Sequence, residues 1–82
     1  MNLRARRREE PYEKRINIEP DEKKVVRRCH ALYCQTIEEE DSINALANTY
    51  QTYPETIRAV IETTTEEERE SIRQMLERIN KS

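Results

Sequence analysis

The 82-residue chain contains no glycine, no tryptophan and no phenylalanine. Two-residue hairpin turns that need φ > 0 therefore lose their best residue, which disfavours strand-rich architectures. The same absence excludes the glycine-rich loops that cradle phosphates in nucleotide-binding enzymes. The aromatics are four tyrosines. The one histidine, His30, has no Ser or Cys arrangement around it that reads as a nucleophilic triad, so no catalytic residues are assigned and an enzyme is not expected. No apolar run is long enough to span a membrane, so no membrane partner is expected. Met1 is followed by charged residues instead of an apolar core, so a signal peptide is not expected and a cytoplasmic location is.

What remains is a chain that is 39% charged and 34% hydrophobic. That balance approaches the disordered range, but the apolar residues recur at helical spacing, which argues for folding. The net charge of −2 hides an asymmetry. Residues 1–30 carry ten Lys or Arg against six acids, and residues 31–82 carry five against eleven. A basic arm before an acidic body is one reading, and a solvated, ion-paired surface is the other. The length allows one domain with a modest core. The expected organisation is an extended basic arm over residues 1–19 and a helical domain over 20–82. The fold class is all-α, a small bundle of three to four helices.

Arg4, Arg6, Arg7 and Arg8 form a dense cluster in a polar stretch that Pro11 keeps from being helical. Such a segment serves either as a mobile arm that follows DNA phosphates or enters a minor groove, or as a solubilising tail. Arg15-Ile16-Asn17-Ile18 alternates, as a short strand does or as an extended lead-in that packs Ile16 and Ile18 on the helices. Pro20, Asp21 and Glu22 suit the opening of a first helix over about 20–36. Its apolar positions are Val25, Val26, Cys29, Leu32, Tyr33 and Ile37, with Lys23, Lys24, Arg27 and Arg28 largely on the other face. The acids Glu38 to Asp41 separate it from a second helix over about 42–50, for which Ser42 is a good N-cap. Thr52 with Glu55 fits a capping box, with Pro54 in the first turn of a third helix over about 53–63. Thr65 with Glu68 forms a second capping box, opening a fourth helix over about 66–80. Ile72, Met75, Leu76 and Ile79 make its apolar stripe, which is either the core's fourth member or a dimer seam.

Residues 42–61 hold a distinctive spacing. Ala47 is a small residue flanked by Ile43, Leu46 and Tyr50. Gln51 follows four residues later, and Ile57 six further on, with Val60 and Ile61 continuing the pattern. This stretch resembles the helix-turn-helix unit of DNA-binding proteins. The resemblance implies that the second and third helices cross at Ala47, and that Gln51 takes the turn position where the family usually has Gly at φ > 0. It implies that Pro54-Glu55-Thr56-Ile57-Arg58 opens a recognition helix facing the major groove with Tyr53, Glu55, Thr56, Arg58, Ala59 and Glu62. Arg58 would read guanine and Glu55 a cytosine amine, while Gln51 and Thr52 reach phosphates. That helix carries more acid than base, so affinity would come from the arm and from first-helix cations such as Lys24 and Arg28. A second resemblance covers residues 18–50, through Ile18-Glu19-Pro20-Asp21-Glu22, Val25-Val26-Arg27-Arg28, Leu32-Tyr33, Ser42-Ile43 and Leu46-Ala47. It is to the helical DNA-binding part of large serine recombinases. No catalytic domain accompanies it, so it implies a DNA-binding remnant or accessory protein of a mobile element.

The leading expectation is a sequence-specific regulator or accessory factor of a phage, plasmid or transposon that binds double-stranded DNA and pairs as a homodimer. The alternative is a small helical protein-binding factor, such as a phage inhibitor of a host protein or an antitoxin. Its acidic surface after residue 31 would suit a basic partner. Cys29, His30 and Cys34 are too few and too poorly spaced for structural zinc. They read as a histidine beside two small buried thiols, with no metal and no cofactor.

Overall fold

The computed structural model describes residues 14–81. They form four helices: α1 (Pro20–Tyr33), α2 (Glu39–Thr49), α3 (Pro54–Glu62) and α4 (Glu66–Lys81). Among the described residues there is no strand, only an isolated parallel bridge between Arg15 and Thr52. The all-α class holds.

The core is the meeting of α1, α2 and α3. Val26, Ile43, Leu46, Ala47, Ile57 and Val60 are buried together with Ile18, and Cys29, Tyr50 and Ile61 pack at the rim. On α2 and α3 these are the positions that helical periodicity selects, three and four residues apart on one face. α1 departs from its pattern. Val25, Leu32, Tyr33 and Ile37 are exposed, and Val26 alone is fully buried on that helix. α1 also stops at Tyr33, short of the expected 36, in a turn that Cys34 caps through its N–H.

The acids before Ser42 are not a separator. Glu39, Glu40 and Asp41 form the first turn of α2, where carboxylates meet the positive end of the helix. Ser42 is therefore inside the helix and buried, not its N-cap. The Thr65–Glu68 capping box forms, with the Thr65 N–H on Glu68 Oε1 and the Glu68 N–H on Thr65 Oγ1, both at 3.2 Å. The Thr52–Glu55 box does not. Tyr53 is the N-cap of α3 without a side-chain cap bond. The Thr52 hydroxyl instead donates to the Arg15 carbonyl at 2.5 Å.

That bond fastens the segment before α1 to the α2–α3 connection. The Arg15 N–H donates to the Gln51 carbonyl at 2.9 Å, and the Arg15 guanidinium forks onto Glu22 of α1 at 3.1 and 2.5 Å. Ile18 is buried, so residues 15–18 belong to the folded body instead of the arm expected up to residue 19. Ile16 is exposed, contrary to expectation: residues 15–18 form no strand, so the period of two that would put Ile16 on the same side as the buried Ile18 is not kept.

Arg27 also departs from the reading of its helix face. Its side chain is 10% exposed and turns inward. Nε donates to the Val60 carbonyl at 2.9 Å, Nη1 to Glu68 Oε2 at 2.8 Å and Nη2 to Thr63 Oγ1 at 3.2 Å. Helix α4 packs on α1 alone and contributes no buried residue.

Candidate nucleic-acid interface

The α2–α3 connection is built at Gln51, which has φ 54°. It is the one described residue with a positive φ, a region that costs a residue bearing a Cβ about 1–2 kcal/mol. The Gln51 N–H bonds to the Asn48 carbonyl at 3.2 Å and the Thr52 N–H to Ala47 at 2.9 Å, closing the end of α2. Pro54 then opens α3, where its missing N–H leaves no helical bond unmade. Ala47 and Ile57 lie in the buried cluster between the two helices.

With Ile57 and Val60 inward, helical geometry turns Glu55, Ala59 and Glu62 outward, and all three are exposed. Arg58 is exposed and leans toward α2, where its Nη2 meets Glu40 Oε2 at 3.2 Å. An exposed ion pair of this kind stabilises by roughly 0–1 kcal/mol. Thr56 lies on the other flank of α3, half-buried, in a shallow groove with Ile16, Asn17, Ile18, Lys23, Ala59 and Thr63. The Tyr53 ring is partly exposed, and Lys14 Nζ sits 5.2 Å from its centroid.

The expected site residues thus separate into groups. Gln51, Tyr53, Glu55, Thr56 and Arg58 are brought together around the start of α3. Thr52 is a correction: it is 1% exposed with its hydroxyl committed to Arg15, which leaves nothing to offer a phosphate. Lys24 and Arg28 are exposed but line the cleft between α1 and α4 with Glu67, Glu68, Ser71 and Ile72, apart from the α3 group. Arg4, Arg6, Arg7 and Arg8 lie outside the described residues. Ile72, Met75 and Leu76 are half-buried, and Ile79 is exposed. Lys14, Lys23 and Glu40 are not among the expected site residues, although the sequence puts Lys23 on the polar face of the first helix and Glu40 in the acidic run before the second. Their positions depend on the lead-in and the α2–α3 packing, which no local pattern reveals.

His30 bridges α1 and α2. Its Nδ1 is 2.8 Å from the buried Ser42 Oγ, its Nε2 3.8 Å from Glu39 Oε2 and 3.5 Å from Cys34 Sγ. Burial pushes its pKa down, with Glu39 opposing. Cys34 is exposed, so only Cys29 resembles the expected buried thiol, and it is half-buried. Among the described residues no group of three or more His, Cys, Asp or Glu is placed to hold a metal ion. No helix among them is long and apolar enough to cross a membrane. Comparison with protein families, curated proteins and solved structures finds no match.

Proposed function

We propose that the chain is a small sequence-specific DNA-binding protein of the helix-turn-helix kind, with α3 entering the major groove. The observation that carries this reading is the α2–α3 connection. Gln51 adopts the left-handed conformation at the turn, and Ala47 and Ile57 are buried between the helices at the spacing that motif requires. In this reading Arg58 and Glu55 meet base edges, Gln51, Tyr53 and Thr56 orient the helix, and the basic N-terminal segment supplies much of the affinity. A regulator or accessory factor of a mobile element is the corresponding biological role.

The test is selection from random duplexes at moderate salt, using the wild type, Arg58→Ala and a deletion of residues 1–10, each checked for helicity. The reading expects an enriched sequence, its loss in Arg58→Ala, and unchanged preference with a flatter salt dependence in the deletion. Absence of any enriched sequence, with Arg58→Ala behaving as wild type, overturns it.

A protein-binding factor is the second reading, and one feature favours it. The α4 residues lining the clefts against α1 end at Ile72. Beyond them Met75 and Leu76 remain half-buried and Ile79 is 46% exposed. Such a stripe suits a second helix, from another protein or another copy. Co-purification of a protein partner that Ile79→Glu abolishes, in the absence of DNA, would support this reading over the first.

A further inference from the structure

The cations near α3 differ in what already neutralises them. Arg15 is paired with Glu22, Arg27 with Glu68 and Arg58 with Glu40. Lys24 and Arg28 share their cleft with Glu67 and Glu68. Lys14 and Lys23 stand apart, since neither makes an ion pair with a carboxylate of the described residues. They also flank the same helix. Lys14 lies over the ring of Tyr53, the N-cap of α3. Lys23 borders the groove along one side of α3, with Asn17, Thr56, Ala59 and Thr63.

Both are held there by the fold. Lys14 directly precedes Arg15, whose backbone is fastened to Gln51 and Thr52 and whose side chain is fastened to Glu22. Lys23 is one helical position beyond Glu22, in the first turns of α1. A Lys ammonium acts as a mobile point charge on a flexible stem, which suits phosphate contact better than base reading. The outward acids Glu55 and Glu62 make such flanking charges necessary if α3 is to approach a polyanion.

We propose that Lys14 and Lys23 are the phosphate-contacting cations that seat α3 on duplex DNA, in place of Lys24 and Arg28. The proposal rests on the DNA reading above and names which side chains carry its electrostatic part. Each contact displaces condensed counterions and so adds to the salt dependence of binding.

The experiment measures affinity against salt concentration by fluorescence anisotropy on end-labelled random-sequence duplexes, using the full chain. The variants are Lys14→Gln/Lys23→Gln, Lys14→Arg/Lys23→Arg and Lys24→Gln/Arg28→Gln, with melting temperature as the fold control. The first pair is expected to flatten the log–log slope by about 1.8, two contacts at about 0.9 each. The arginine pair should retain the wild-type slope, and Lys24→Gln/Arg28→Gln should leave it unchanged. A wild-type slope in Lys14→Gln/Lys23→Gln, or the full loss in Lys24→Gln/Arg28→Gln, overturns the assignment while leaving DNA binding standing. Failure of the wild type to bind any duplex at low salt overturns the DNA reading itself, and the assignment with it.

Discussion

The Arg27 guanidinium donates to the main-chain carbonyl of Val60 at 2.9 Å, across 33 residues of sequence. Val60 lies in the last turn of α3, where carbonyls lack helical partners and a cation is favoured. The same guanidinium reaches Thr63 just past α3 and Glu68 in the first turn of α4. One side chain therefore joins three helices.

Arg27→Met should lower unfolding stability by about 1.5–3 kcal/mol, because it removes the charged hydrogen bonds to Val60 and Glu68 and leaves the Val60 carbonyl to the Thr63 hydroxyl at 3.1 Å. Arg27→Lys should recover little, since an ammonium cannot span the three acceptors that the planar fork reaches. Urea denaturation measures both. A loss under half a kcal/mol in the Met variant contradicts the clamp.

Gln51→Gly should raise stability by about 1 kcal/mol, the cost of a Cβ at positive φ being relieved. Gln51→Ala should give no such gain. Equal stability of the three proteins in thermal melts would show that the left-handed turn is not populated in solution.

Acid should weaken the fold in two windows. Burial holds the His30 pKa below its ordinary value, so the folded state binds this proton less readily than the unfolded one. Its contribution is present above the ordinary histidine range and fades as pH falls through the depressed folded value. Glu68 is held below the carboxylate range, first by the Thr65 N–H and then, against burial, by Arg27 and the Thr65 hydroxyl. Its contribution is present above the ordinary carboxylate range and lost as pH falls through the lowered folded value. His30→Asn should flatten the stability profile in the upper window only, and Glu68→Gln in the lower only. Chemical denaturation at a series of pH values distinguishes them.

Glu40 competes with DNA for Arg58 under the proposed function. Glu40→Gln should tighten binding to the selected duplex by about two- to fivefold, the scale of an exposed ion pair. Arg58→Ala should make Glu40→Gln silent. Additive effects in that double-mutant cycle would mean that the pair observed at 3.2 Å does not limit Arg58.

The helix pair α2–α3 and its core were legible in the sequence, because Ile43, Leu46, Ala47, Ile57 and Val60 all bury one stripe against one neighbouring surface. α1 was less legible. It meets three helices, so its inward face includes Arg27 as well as Val26, and apolar spacing alone points to Leu32 and Tyr33 instead. Thr52 reads equally well as a cap and as a buried hydroxyl until Arg15 is seen to supply its acceptor 37 residues away. The start of α2 was obscured because an acidic run suits either a solvated link or the first turn of a helix. The candidate site was legible in its α3 residues and not in its flanking cations, whose placement follows from long-range bonds.

Helix α4 touches α1 alone and buries nothing completely, while the other three helices each touch two partners of a shared core. The chain should therefore open in two stages. Breaking the Arg27–Glu68 link releases α4 at a fraction of the global unfolding free energy, and its amides should exchange with solvent as one fast group. The slowest amides should be those of α2 and α3 around Leu46 and Ile57, so the helix pair with the candidate reading surface is also the last part of the molecule to come apart.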